Sequence, residues 1–362
     1  MIMTLNVGVV AASGFAGGEA VRLLVNHPEV NVNYITSRRL IGKFFHTTFP
    51  NFRKISRLKF EKYSVEMAQK KCDIIFLATP HGVSQDMVPD LLSTGIKVID
   101  LSADFRLNDT KIYQQYYKKE HSHPELFEKA IYGLPELHRD EMKGADLIAV
   151  AGCQASSAIY GLYPLITEGL IQTENIIVDS KTGSSGSGSS VNKANQHAIR
   201  ANSIRPYKMT GHRHTAEIEQ ELSLLANKNN SFKRAVKVGF SAHAVNLVRG
   251  ILSTCHVFYE EEKEITEKVL FKTYRRHVRD EPFLRLINQR TGEFRLPDPK
   301  IIVGTNYCDV GFQFDSHLNR IVVLCTLDNL IKGTAGNAVQ CMNIMCDFPE
   351  TMGLDFPGYF PL

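Results

Sequence analysis

The sequence predicts an α/β fold: a doubly wound parallel sheet followed by a second domain. Three observations carry this. An apolar run from Leu5 to Ala12 passes through a glycine turn into a segment of helical periodicity. Two more buried-strand runs, Asp73 to Thr79 and Lys97 to Ser102, repeat the strand–turn–helix rhythm of a parallel sheet. At 362 residues the chain is long enough for two domains.

Taken in order, the first strand, LNVGVVAA, is apolar throughout and suits a central position. Ser13, Gly14, Phe15, Ala16, Gly17 and Gly18 follow, then a helix with Ala20, Val21, Leu23 and Leu24 inward and His27-Pro28 at its end. Strand, glycine turn and helix form the dinucleotide-binding arrangement of Rossmann-type sheets, in which glycines let the backbone approach a pyrophosphate. Gly14 and Gly17 fit it; the first glycine of a G-x-x-G-x-x-G falls on Ala11. The second strand, Val30 to Ile35, runs into Thr36, Ser37, Arg38 and Arg39. A free ribose 2′-hydroxyl would meet an Asp or Glu here. A serine and two arginines instead suit a 2′-phosphate, so NADP(H) is expected over NAD. The stretch from Tyr113 to His123 reads as an exposed helix and loop, and Tyr132 to Glu136 as a turn before the next strand.

The strand Leu147 to Val150 then leads through Ala151-Gly152 into Cys153. Ala155, Ala158, Ile159, Leu162 and Leu165 keep helical spacing, so Cys153 opens a helix with a buried face. Unpaired N–H groups and the helix dipole at that position stabilise a thiolate, the reactive form of cysteine. A buried structural cysteine is the plain alternative; the preceding glycine and the helix start favour a nucleophile.

A strand is expected from Asn175 to Ser180, then a Gly/Ser-rich run from Thr182 to Ser190. That run suits a flexible linker or a loop of donors around a phosphate, and both readings stay open. His212 and His214 bracket Arg213 after a glycine, ahead of a helix with Ile218, Leu222 and Leu225 inward. One histidine suits acid/base work near neutral pH and the other a helix cap; local sequence does not separate them. Strands surround Ser241 to His243 and Gly250 to Thr254, and a helix runs from Ile265 to Arg276. Pro297-Asp298-Pro299 breaks the chain before an expected strand at Ile301 to Val303. Val322 to Leu327 is the last strand, and a helix around Ala338 to Met345 follows.

Composition excludes several classes. Hydrophobic residues make up 43% and charged residues 22%, as in ordinary globular proteins, and the net charge of +4 is too mild to argue for nucleic acid. No apolar run is long enough for a membrane span. Met1 to Thr4 carry no basic n-region, so no secretory signal is expected. The seven cysteines are scattered without a C-x-x-C, which points to a reducing cytoplasm rather than a disulfide framework. His-x-His pairs at 121/123 and 212/214 lack partners at ligand spacing, so no metal is expected.

Read together, these features resemble the N-acetyl-γ-glutamyl-phosphate reductase family. The matching stretches are SGFAGGE at 13–19, DLSADFRL at 100–107, YGLPEL at 132–137, GHRHTAEIEQEL at 211–222, VRGIL at 248–252 and DNLIKGTAGNAVQ at 328–340. They run nearly the full chain. The resemblance implies an NADP-binding domain over 1–150, an α+β catalytic and dimerisation domain over 151–327, and a C-terminal helix over 328–362 that returns to the first domain. It also implies a cytoplasmic homo-oligomer, dimer or tetramer, that reduces an acyl phosphate to a semialdehyde.

One departure narrows this. Arginine-pathway members carry Pro-Gly-Cys followed by an aromatic residue; this chain has Ala151-Gly152-Cys153-Gln154. It is similar to the branch acting on substrates tethered to a small acidic amino-group carrier of the LysW type, in lysine and in some cases arginine biosynthesis. TSRR at 36–39, RPYKMTGHRHTAE at 205–217, DEPFLRL at 280–286, LPDPK at 296–300, GTNYCDVGF at 304–312 and LDFPG at 354–358 carry that likeness. The resemblance implies Cys153 as nucleophile, His214 or His212 for protons, and Ser13 to Gly17, Ser37, Arg38, Arg39 and Asn329 around the cofactor. Gln154, Arg106, Ser184, Ser185 and Arg249 become candidates for substrate. Lys208, Arg213 and Arg276 are candidates for a basic carrier-facing surface. The alternative substrate is free N-acetylglutamyl phosphate. A cysteine hydrolase is disfavoured by the dinucleotide turn, and a non-enzymatic NADP sensor by the Cys153 helix start.

Overall fold

The computed structural model describes residues 4–228 and 235–360. Met1, Ile2 and Met3, read above for a signal, lie outside the described residues. The apolar runs form strands and the periodic segments helices: β1 Leu5–Val10, α1 Phe15–Val25, β2 Val30–Thr36, β3 Phe60–Glu61, α2 Val65–Lys71, β4 Ile74–Leu77, α3 Val88–Ser93, β5 Lys97–Asp100, α4 Thr110–Tyr117, β6 Ala130–Gly133, α5 Pro135–Met142 and β7 Leu147–Val150. All seven strands pair in parallel, in the order β3-β2-β1-β4-β5-β7-β6. Every residue of β4 and β7 is buried, as a sheet covered on both faces requires. The strand order reverses at β1, with β2 on one side and β4 on the other. Ligands of such sheets bind at that switch point, beyond the strand ends.

Two expectations for this region are corrected. The stretch from Tyr113 to His123 is not exposed throughout: Tyr113 and His121 are buried and pack edge to face with ring centroids 5.0 Å apart. Their polar tips hid a core contact in a hydrophilic stretch. Tyr132 and Gly133 end strand β6 rather than forming a turn, and Pro135 opens α5, where its missing N–H costs nothing.

The chain then builds α6 Cys153–Thr167, β8 Ile176–Thr182, α7 His197–Arg200, β9 Arg205–Lys208, α8 His214–Lys228, β10 Val238–Ala244, β11 Ile251–Phe258, α9 Glu267–Val278, β12 Leu284–Leu286, β13 Cys308–Asp315 and β14 Arg320–Leu327. The strands form a mixed sheet ordered β12-β13-β14-β11-β8-β10-β9. Burial alternates along β8, β10 and β11, so one face is a core face. Helix α6 lies on it against β11 and β14, with every residue from Gln154 to Ile166 buried, and packs along α8. The expected strand at Ile301 to Val303 is a turn. Asp298 accepts the Lys300 N–H at 2.8 Å on its side chain and the Ile301 N–H at 3.2 Å on its carbonyl. The strand proper starts at Cys308.

A last helix, α10 Gly336–Met345, packs on α1 and α5. Contacts group Met1–Ala151, Gly188–Ser190 and Thr334–Phe356 into one unit and Gly152–Ser187, Val191–Gly333 and Pro357–Leu362 into another. Among the described residues no helix is long and apolar enough to cross a membrane.

Gly17 is fixed by packing. A Cβ there would lie 2.8 Å from the Ala11 carbonyl oxygen and the Ala12 Cα, both backbone atoms that cannot swing away. Gly17→Ala is therefore expected to cost about 1–3 kcal/mol in thermal unfolding. Gly14→Ala, where the nearest atom is 3.7 Å away, serves as the mild control.

Candidate active site

In the first unit, β1 is followed by Ala11, whose φ of 57° is the left-handed conformation that the missing glycine would adopt freely. The turn is held by its neighbours: Ala11 N–H donates to Thr36 Oγ1 at 3.2 Å and Ala12 N–H to the Thr36 carbonyl at 3.0 Å. Gly14 is the N-cap of α1 and offers no side chain, so the first-turn amides of Phe15, Ala16 and Gly17 remain as anion donors. Ser13 Oγ lies 3.0 Å from Ser37 Oγ, tying this turn to the end of β2. Arg38 and Arg39 follow Ser37 and are exposed. The close approach that only Gly17 permits, the uncapped helix start and the adjacent serine and guanidinium groups fit a dinucleotide.

In the second unit, Gly152 is the extended N-cap of α6 and Cys153 its first residue, half-buried. The Gly152 N–H donates to Glu217 Oε2 at 2.8 Å. Glu217 is fully buried on α8, and its other oxygen lies 3.8 Å from His214 Nε2. One carboxylate thus links the cysteine turn to a histidine three residues before it. His214 and His212 are both buried, with ring centroids 4.7 Å apart, and His212 leans on Phe240. They differ in their bonds. His212 Nδ1 accepts the His214 N–H at 3.2 Å, so it caps α8 and needs an unprotonated Nδ1. Burial, then the nearby Arg213 and Lys208, push its pKa down to about 4.

Gln154 is buried, and its Nε2 donates to Tyr207 Oη at 3.0 Å. Its Oε1 is buried with no partner among the described residues. A π-turn, Ile331–Ala335, brings Gly333 against Cys153; a Cβ on Gly333 would lie 2.7 Å from Cys153 Cβ. Lys332 on the same turn is fully buried, its Nζ 5.1 Å from the Tyr160 ring centroid.

The first part of the Gly/Ser-rich run, residues 183–187, is a hydrogen-bonded turn, and Gly188–Ser190 after it are exposed. Ser184 N–H donates to the Leu247 carbonyl at 2.8 Å and Ser185 N–H to the Val248 carbonyl at 3.0 Å. Ser185 Oγ donates to the Val248 carbonyl at 2.6 Å and accepts from Asn329 Nδ2 at 2.9 Å. Asn329 Oδ1 also accepts the Gly250 N–H at 2.9 Å, so this buried amide clamps the turn to the start of β11. Arg249 lies 3.4 Å from Asp328 Oδ2. Arg106 sits in the first unit, buried, donating to the Val150 carbonyl at 2.7 Å and the Leu101 carbonyl at 3.1 Å. Glu217, Tyr207 and Gly333 are the residues that sequence reasoning missed. The only available signal was the position of Glu217 one helical turn after His214.

Comparison with known proteins follows these two units. Residues 6–145 match the family description "Semialdehyde dehydrogenase, NAD binding domain", and residues 153–329 match "Semialdehyde dehydrogenase, dimerisation domain". A protein of Nitrosopumilus maritimus, provisionally named a LysW-L-2-aminoadipate/LysW-L-glutamate phosphate reductase, is 47% identical over 99% of this chain and 100% of its own length. One of Thermomicrobium roseum, provisionally named a LysW-L-2-aminoadipate 6-phosphate reductase, is 45% identical over 99% of this chain and 100% of its own length. The fold is shared with Vibrio cholerae aspartate semialdehyde dehydrogenase II, solved with ASA, at a TM-score of 0.70 and 17% identity, covering 95% of this chain and 98% of that one. It is shared too with the Candida albicans aspartate semialdehyde dehydrogenase solved with NADP, at a TM-score of 0.68 and 16% identity, covering 94% and 98%.

His212 gives a stability test. The folded protein refuses a proton there until about pH 4, whereas the unfolded chain accepts one near 6.5. Between those values the unfolded state binds more protons, so stability falls as pH drops through the window. The urea midpoint of His212→Asn, which keeps an acceptor for the cap, is expected to fall less steeply from pH 6.5 to 4 than that of the wild type.

Proposed function

Because the chain belongs to the semialdehyde dehydrogenase family, we propose that it reduces a carrier-protein-bound acyl phosphate, 2-aminoadipate 6-phosphate or glutamyl phosphate, to the semialdehyde with NADPH. The observation that carries the chemistry is Cys153 at the start of a buried helix, with Glu217 joining its turn to His214. The carrier follows from the names of full-length relatives and from Ala151-Gly152-Cys153-Gln154 in place of the Pro-Gly-Cys-aromatic sequence.

The Cys153 thiolate attacks the acyl carbon; the C–S bond forms, the C–O bond to phosphate breaks, and inorganic phosphate leaves with the electron pair. The tetrahedral oxygen is stabilised by the first-turn amides of α6, whose dipole favours negative charge. The Gly152 amide takes no part, because Glu217 already holds it. When bound, the nicotinamide supplies the hydride that reduces the thioester carbon. His214 donates the proton to the resulting oxygen and recovers it as the hemithioacetal collapses, releasing aldehyde and thiolate. Glu217 is a positioning residue: it orients His214 and stabilises the imidazolium. His212 stays neutral and acts as a cap. The buried Gln154 Oε1 offers an acceptor to an N–H of the substrate, such as the amide that ties an amino acid to a carrier.

Cys153→Ser is expected to abolish turnover while leaving NADPH binding within error, measured by 340 nm absorbance and by nucleotide fluorescence. His214→Asn should lower kcat by about 10²–10⁴. His212→Asn should cost far less, and an equal loss from the two would remove the distinction between them. Glu217→Gln should lower kcat with KM little changed and shift the pH profile, with partial recovery in Glu217→Asp.

For the cofactor, replacing Arg38 and Arg39 with alanine should weaken NADPH much more than NADH. A charge-assisted contact contributes about 1.5–3 kcal/mol, so the ratio should change by tenfold or more. Equal losses would make the pair a surface loop. For the substrate, carrier-bound aminoadipyl phosphate, carrier-bound glutamyl phosphate and free N-acetylglutamyl phosphate should be assayed side by side. Turnover of the acetylated compound alone would replace the carrier reading with the arginine-pathway one.

A further inference from the structure

Beyond Lys181, which pairs with Asp179 at 3.1 Å, the chain has no acidic residue until Glu217, yet it carries Lys193, Arg200, Arg205, Lys208 and Arg213. None of these five makes an ion pair among the described residues. Arg200 and Arg205 donate only to backbone carbonyls, of Thr182 at 3.0 Å and Ala194 at 3.1 Å. Arg276, a candidate for the same surface from sequence, differs: it lies 3.0 Å from Glu168.

The five are close together. The Arg205 bond brings the turn around Lys193 to strand β9. Arg200 is near enough to Arg205 for that charge to lower its pKa, and Lys208 and Arg213 both act on His212. Strand β9 is the edge of the second sheet, paired on one side only. Cations and a proline on an edge strand ordinarily guard against aggregation. That role does not account for large apolar side chains exposed alongside them: Ile204 at 75%, Tyr207 at 45% and Met209 at 45%. Tyr207 also bonds Gln154, the neighbour of Cys153. A surface that mixes unpaired cations with exposed apolar groups and leads to the nucleophile exceeds what a small acyl phosphate needs.

We propose that the β9 edge, from Lys193 to Arg213, docks an acidic polypeptide face, that of the carrier which presents the acyl phosphate to Cys153. This rests on the carrier reading above. The cations steer the encounter, the apolar side chains bury on contact, and Tyr207 couples the docked surface to the residue beside the nucleophile.

The test uses the full-length protein with Lys193→Glu/Arg205→Glu/Lys208→Glu, and Lys193→Glu/Lys208→Glu as a second variant that leaves the Arg205–Ala194 bond intact. With carrier-bound substrate, KM is expected to rise by about tenfold or more with kcat within about twofold, and the wild-type KM to rise with salt. An unchanged KM in both variants, or a fall in kcat matching that in kcat/KM, overturns the proposal. If the wild type does not turn over carrier-bound substrate, the functional reading has failed separately, and binding decides. Fluorescein-labelled poly-L-glutamate should then bind the wild type in a salt-sensitive manner and the variants at least about tenfold more weakly. No binding, or tighter binding of a single-stranded oligothymidylate of equal charge, overturns it.

Discussion

The catalytic half of the molecule depends on one buried hydrogen bond, from the Gly152 amide to Glu217. A carboxylate taken fully out of water is costly unless it is compensated by donors. Here the compensation comes from the turn that must present Cys153, so the cost of burial becomes a constraint on geometry. Helix α6 cannot rotate or slide along α8 without losing that hydrogen bond. The same side chain faces His214 with its second oxygen, so Cys153 and His214 share a reference point set by the packing of two helices. The floor is Phe240 on β10, against both histidine rings, and the bare Gly333 closes in from the π-turn.

The nucleotide turn is built in the opposite way. No buried charge fixes it. Ala11 holds a left-handed conformation that costs an alanine about 1 kcal/mol, and Thr36 on the next strand holds it there with two hydrogen bonds. The sheet registers the turn, and the turn leaves its amides unoccupied. The sites thus differ in where their precision comes from, packed helices in one and strand pairing in the other.

Much of this was legible in the sequence because it is local. The strand–glycine–helix succession at Leu5 to Leu24, the basic end of β2 and the helix opening at Cys153 are patterns within a few residues. What was not legible depends on distance. Glu217 lies 65 residues from the amide it holds. His212 and His214 are equivalent as letters; their difference is that one caps the other's helix. The Gly/Ser-rich run left a linker and a donor loop both open, because composition cannot show that the Val248 carbonyl and the Asn329 side chain pin Ser185. Tyr113 and His121 look exposed because each hides an aromatic face behind a polar tip. The expected strand at Ile301 to Val303 failed because Asp298 folds back on the residues after Pro299 and turns the chain before it can extend.

The second unit interrupts the first. Residues up to Ala151 and those from Thr334 to Phe356 pack together, with most of the catalytic unit between them in the chain. Helix α10, which packs on α1 and α5, is therefore synthesised only after the stretch up to Gly333 that builds most of the second unit. During synthesis the parallel sheet must wait, with the apolar surface meant for α10 uncovered, while the stretch from Gly152 to Gly333 is still being made. The strands of the second sheet all lie between Ile176 and Leu327, so that sheet can form while the earlier unit is still incomplete. The order of assembly then runs against the order of synthesis: the sheet made earlier is covered only after the sheet made later is complete.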